Sequence, residues 1–362
     1  MRRAMPHGVG VIGAGPGVSA LHVPTLARLS DGIAIVHVAD NGGGGAEPLA
    51  RRLGARSSSG VDELLADPAV DVVVVCSPPA AHTEHVLASI AAGKRAIFCE
   101  KPLATTEADA LRVIEACRSA GVALLVGTNH LFDEAWGRAK HHLTASGERV
   151  RAIAVTMSLP PNGRYHDVVT ESEPAALRSG GPDLAMPQIA ASVVRQLLVG
   201  LAVHDLPLLR DLAPDFERVV YARAVAPLGY AVGYLASGVP IRLATAMLPD
   251  GADALWHIDI TTDAERIEVA FPPAFVHDGS ATVRVRFAND TVSTYPKTTE
   301  DGYVSEWRTL LGMLDGEVEV QYDELLEDAR YALRLADAAS AAVLAGAGVV
   351  AKSAGTAVEG DS

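Results

Sequence analysis

The stretch Gly13-Ala14-Gly15-Pro16-Gly17 lies between the apolar run Val9-Gly10-Val11-Ile12 and a helical pattern over residues 20–29. A strand that passes at once into a helix through glycines constrains the chain to a parallel α/β unit. The missing side chains let main chain approach an anion, whose charge is met by the unpaired N–H groups of the helix N-terminus. The following pattern fits: residues 33–39 read as the second strand and 61–66 as a short helix. Val70-Asp71-Val72-Val73-Val74-Val75 is too continuously apolar for a half-exposed strand and is expected to be central, buried on both faces. Residues 83–92 read as a helix stopped by Gly93, 97–99 as a strand, 107–120 as a helix ended by Gly121, and 123–127 as a further strand.

After about residue 130 the pattern changes. Strand-like runs at 150–158, 218–224, 231–236, 241–247, 258–262, 267–269, 283–287 and 291–294 follow one another with turn residues between most of them, the signature of antiparallel pairing. A helical stretch at 192–212 interrupts them, and 322–344 reads as a closing helix. The expected fold is α/β: an N-terminal Rossmann-type, doubly wound parallel sheet, and a C-terminal α+β domain with a large, open, mostly antiparallel sheet. The expected boundaries are 1–129 for the dinucleotide-binding domain and 130–330 for the substrate and oligomerisation domain. Residues 331–351 would be a helix packing back on the first domain, and 352–362 a flexible tail.

At 362 residues and 49% hydrophobic, the chain can fill two cores. Its formal charge of −14 argues against a nucleic-acid partner, since such binders set Lys and Arg against phosphates. Cys76, Cys99 and Cys117 have no metal-ligand spacing and read as free thiols of a reducing compartment, so the site is expected to hold no metal. Met1-Arg2-Arg3 resembles the start of a twin-arginine signal, but cleavage downstream would destroy the glycine turn. No apolar run is long enough to span a bilayer, and the expected location is cytoplasmic, away from membranes.

Asp40 ends the second strand, where a carboxylate can accept hydrogen bonds from the ribose hydroxyls of a dinucleotide and repel a 2′-phosphate. Asn41 and a glycine run follow without an adjacent arginine, so NAD is expected in preference to NADP; Arg51 and Arg52 are the nearest basic residues in sequence. Val18 stands where the third glycine of the fingerprint belongs, which predicts a slightly wider helix–strand separation.

Glu100-Lys101-Pro102 closes the apolar run 95–99. Together with the glycine turn, it resembles the glucose-fructose oxidoreductase and inositol dehydrogenase (Gfo/Idh/MocA) family. The resemblance implies that Lys101 faces both nicotinamide and substrate, beside Glu100. It also implies that Cys76-Ser77-Pro78-Pro79 and His82 line the dinucleotide, and that Asn129 lies near the nicotinamide. In the family a helix carries an Asp and, four residues later, a His. Here the His is His204 and the Asp position is Gly200, with Asp205 expected to point elsewhere.

The departure at Gly200 leaves two readings. One is an oxidoreductase acting through Lys101 and His204 on a secondary hydroxyl of a sugar, inositol or glycoside, with room at Gly200 for a bulky, amino-bearing substrate such as an antibiotic-biosynthesis intermediate. The other is a non-catalytic NAD(P)-binding sensor or regulatory protein. His130, Arg164 with Tyr165 and His166, and Tyr303 with Glu306 and Trp307 are the further substrate-binding candidates, expected on loops over the nicotinamide. A homodimer or homotetramer through the C-terminal sheet is the expected assembly.

Overall fold

The computed structural model describes residues 6–160, 181–248 and 254–355, with side chains up to residue 346. Six strands form the first sheet: β1 (His7–Ile12), β2 (Ile33–Asp40), β3 (Arg56–Ser59), β4 (Val72–Val75), β5 (Ala96–Cys99) and β6 (Ala123–Val126). Their order is β3-β2-β1-β4-β5-β6 and every pair is parallel. The chain order reverses between β1 and β4, so the ligand crevice of such a sheet lies outside the carboxyl ends of those two strands. All four valines of β4 are buried, as a strand covered on both faces requires.

Gly13 has φ +110°, and a Cβ there would come within 2.6 Å of the Cys76 carbonyl oxygen, so this position requires glycine. The helix expected over 20–29 is a π-turn, Val18–His22, running into the short α1 (Val23–Ala27). Val18 is buried in the core under this turn. Helices α2 (Ala46–Leu53), α3 (Asp62–Ala66), α4 (His82–Ala91) and α5 (Glu107–Ala120) complete the wound layers. The sequence reading missed α2 and β3; the latter, Arg56-Ser57-Ser58-Ser59, is an edge strand without apolar alternation.

Helix α6 (Glu134–Ser146), also missed, leads into the second sheet. Its strands are β7 (Val150–Leu159), β8 (Phe216–Ala224), β9 (Gly229–Ala236), β10 (Val239–Met247), β11 (Leu255–Thr262), β12 (Glu265–Ala270), β13 (Thr282–Phe287) and β14 (Val292–Tyr295). The order is β14-β13-β12-β11-β7-β10-β9-β8, antiparallel except for the parallel pair β7–β10. One face carries the core: along β10, Val239, Ile241, Leu243 and Thr245 are buried while Pro240, Arg242 and Ala244 are exposed. Helices α7 (Pro187–Gly200) and α8 (Leu206–Leu212) cover that core, joined by a 3₁₀ turn at Ala202–His204, where the sequence reading had one helix.

The last two helices correct the expected boundaries. Tyr303, Glu306 and Trp307 do not lie on a loop but on α9 (Gly302–Leu314), capped by Asp301, whose Oδ1 accepts from Val304 N at 3.0 Å. Helical spacing puts Val304, Trp307 and Leu310 on one face, and that face joins the core of the first domain. Trp307 stacks on Phe98 with ring centroids 4.8 Å apart. Helix α10 (Tyr322–Gly355) also divides differently from expectation. Its first turns pack Leu326 against the α5 side of the first domain, whereas Tyr331, Leu335, Ala336 and Ala339 belong to the second domain's core, not the first's. No single helix among the described residues is long and apolar enough to cross a membrane.

Candidate active site

A cavity of about 510 Å³ opens between the two domains at the carboxyl ends of β1, β4 and β5. On its first-domain side are Gly15 and Gly17, where an added Cβ would meet nothing within 4 Å. Open space over two glycines, at the switch point of a parallel sheet, fits a dinucleotide pyrophosphate. Ala14 and Pro16 continue the same loop. At the end of β2, Asp40 accepts from Gly42 N through Oδ1 and from Ala46 N through Oδ2, each at 2.8 Å. These amides outweigh desolvation and hold its carboxyl below the ordinary range. The amides of Gly44 and Gly45 also act on this carboxylate, so it is fixed in place at the strand end. Asn41 is exposed beside it. Arg51 pairs with Glu47, and Arg52 reaches Ser19 Oγ at 3.3 Å.

The buried run of β5 delivers Glu100 and Lys101 to the cavity wall. Glu100 Oε1 is 3.0 Å from His22 Nε2, and Oε2 accepts from Lys101 N at 3.1 Å. Burial alone would lower His22, but neighbouring Cys76 and Glu100 reverse this and raise its pKa to about 10. Burial alone would raise Glu100, and its contacts with His22 and Lys101 lower it instead. The half-buried Lys101 sends its Nζ across the domain boundary to Gly200 O at 2.8 Å. Burial lowers its pKa and Glu100 opposes that only in part.

The second-domain wall begins where α7 ends, at Gly200, and turns through Ala202–His204. His204 lines the cavity, and burial, then Lys101, then His130 hold its pKa well below the ordinary 6.5. It is therefore a neutral imidazole at pH 7, able to accept a proton. Its Nδ1 is buried without a hydrogen-bond partner among the described residues.

Several expected residues lie elsewhere. His130 does not line the cavity: it sits behind His204, with ring centroids 5.7 Å apart, stacked on Phe271 and bonded through Nδ1 to Asp205 Oδ1 at 2.8 Å. Asp205, fully buried, also accepts from Trp256 Nε1 at 3.0 and 2.9 Å. Asn129 is not at the cavity either; its carbonyl packs against Gly302 at the start of α9. His82 lines the cavity, and its ring ties the Ser77 and Pro102 carbonyls together, both at 2.7 Å, joining the two loops. Cys76 and Ser77 are lining residues, and Pro78 is exposed beside them. Tyr303 and Glu306 reach the cavity from α9. Arg164, Tyr165 and His166 lie outside the described residues.

The sequence reading missed His22, Gly127, Gln196, Trp256 and Phe275 as lining residues and underrated Glu306. Glu306 is 2% exposed, and burial first, then Glu100 and Asp301, push its carboxyl well above the ordinary range. A helical register over 301–311 would have shown Tyr303 and Glu306 three apart, on one face. Nothing local marks His22 or Gln196.

The fold and cleft define a two-domain protein whose first domain is a dinucleotide-binding module. Residues 7–128 match the family described as "Oxidoreductase family, NAD-binding Rossmann fold". The chain is 40% identical over 170 residues to inositol 2-dehydrogenase 3 of Saccharopolyspora erythraea, covering 46% of this chain and 50% of that one. It is 37% identical over 161 residues to a 1,5-anhydro-D-fructose reductase of Ensifer adhaerens, covering 44% of this chain and 43% of that one. The chain thus spans about half the length of these curated relatives. Across nearly the whole fold it resembles a 3-ketoreductase from Actinomadura kijaniata solved with NADP and TDP-benzene, with TM-score 0.69 and 19% identity over 90% of this chain and 95% of that one.

Proposed function

We propose that the protein is an NAD(H)-dependent oxidoreductase that moves a hydride between nicotinamide and a secondary hydroxyl or keto group of a sugar, inositol or glycoside. The observation that carries this reading is the meeting of Lys101 and His204, from different domains, on one cleft at the carboxyl ends of the parallel strands. Gly15, Gly17, Ser77 and Asp40 would hold the dinucleotide, which supplies the hydride acceptor. Removing hydride from a secondary alcohol also requires a proton acceptor and a donor that stabilises the developing alkoxide. Neutral His204 serves the first need, and Lys101 the second. The carboxylate expected at position 200 is not required to anchor the lysine, because main chain does so; this favours the enzyme over the sensor reading.

A coupled absorbance assay with a panel of inositols, free sugars and nucleotide-linked or amino-bearing glycosides tests the proposal. Reduction of NAD by none of them, with NAD bound, would return the sensor reading. The open face of the eight-stranded sheet, whose edge strand exposes Val220 and Tyr221, supports assembly of copies through that sheet. Sedimentation checks it.

A further inference from the structure

Helix α7 stops at Gly200, and the carbonyls of a last turn lack intrahelical partners and carry the negative end of the helix dipole. The Lys101 ammonium group meets that end, with Nζ 2.8 Å from the Gly200 oxygen. We propose that the Gly200 carbonyl is the docking point of Lys101, a neutral dipole standing where the family resemblance expects a carboxylate. Gly200 is thus a positioning residue acting through Lys101, and the inference rests on the oxidoreductase reading only for its effect on turnover.

The exchange of a full charge for a dipole has a direct consequence. A carboxylate beside an ammonium group favours its charged form, whereas a carbonyl does so much less, leaving burial to favour the neutral amine. The titratable groups around Lys101 are Glu100 next to it, His22, Cys76 and His82 from the first domain, Tyr303 and Glu306 from α9, and His204 from the second domain. Glu100 is the anion that opposes burial, and it is shared with His22. The site therefore keeps Lys101 poised to give up a proton closer to neutrality than an exposed lysine.

Position 200 can be altered without steric conflict, because a Cβ there meets nothing within 4 Å and the backbone is not left-handed. The chain has only five lysines, Lys94, Lys101, Lys140, Lys297 and Lys352, so each can be followed by the ¹³Cε shift of lysine-labelled protein, with Lys101 assigned by its loss in Lys101→Ala. We expect Lys101 to titrate below exposed Lys140, Gly200→Asn to leave it in place, and Gly200→Asp to raise it by about 1–3 pH units. Asn matches Asp in shape and separates charge from bulk, and NAD affinity checks that both variants are folded. A Lys101 that titrates with Lys140 in the native chain, or that moves equally in Asn and Asp variants, overturns the proposal. Its failure is distinct from that of the enzyme reading, since the titration needs no substrate. If Lys101 behaves as expected while no substrate is turned over, the docking stands and the catalytic assignment falls.

Discussion

Asp205 is the buried residue whose replacement has the most calculable cost. Its carboxyl group is fully buried and accepts from two donors that have no other partner in view, His130 Nδ1 and Trp256 Nε1. In Asp205→Ala both donors stay buried and unpaired, at about 1–3 kcal/mol each, giving a loss of about 2–6 kcal/mol. Asp205→Asn keeps one acceptor oxygen, so about half that loss is expected. Urea unfolding followed by tryptophan emission reads the right domain, because Trp136 and Trp256 lie in the second domain's core and only Trp307 in the first's. An Asp205→Ala protein within about 0.5 kcal/mol of the parent, the range of ordinary surface substitutions, would show that this network does not hold the wall behind His204. The same variant should also impair turnover, since His130 stacks between Phe271 and the His204 side. If stability falls and kcat does not, His130 supports the fold alone.

Lys101→Ala is expected to remove most turnover while keeping dinucleotide affinity within tenfold, about 1.4 kcal/mol, because the glycine loop and Asp40 lie elsewhere; wild-type turnover on any accepted substrate sinks the mechanism. NAD(H) should bind more tightly than NADP(H) in a fluorescence titration, and Asp40→Ala should narrow the difference; tighter NADP(H) binding would point to Arg52. His204→Ala should slow oxidation by roughly 10²-fold, the contribution of a positioned acid–base group. Because the folded chain holds His204 well below 6.5, the unfolded state binds more protons near pH 6, so this residue makes stability fall as pH drops below about 6.5. His204→Gln should flatten that slope in thermal melts between pH 7 and 5.5, and an unchanged slope would show that His204 is not depressed.

The first domain was legible because its signals are local. The glycines of the first turn, the valine run of β4 and the apolar run ending at Lys101 each carry their instruction within a few residues; α2 and β3 escaped, the latter by having no apolar face. The second domain's strands were legible by alternation, as in β10, but the sheet order was not. The parallel pairing of β7 with β10 joins segments some 90 residues apart that no periodicity links. The same limit explains the errors at the site. Asn129 and His130 lie just past β6 and looked like wall residues, yet Gly302 and Asp205, far along the chain, claim them.

Gly200 is a position that side chain and main chain describe differently. Read as a residue type, it is a missing carboxylate and a hole, and both the bulky-substrate and sensor readings grew from that loss. Read as main chain, it is the end of a helix, and a helix end has an acceptor whatever its side chain. A carboxylate lost from the sequence was therefore not an interaction lost from the site: Lys101 still finds an oxygen, and the open space above Gly200 stays available to a substrate. This also accounts for the coexistence of a departed aspartate with an intact Lys101, His204 and glycine loop. A chain that had lost its use for the lysine would have no reason to hold it 2.8 Å from a carbonyl of the opposite domain, at a helix end that faces the cleft.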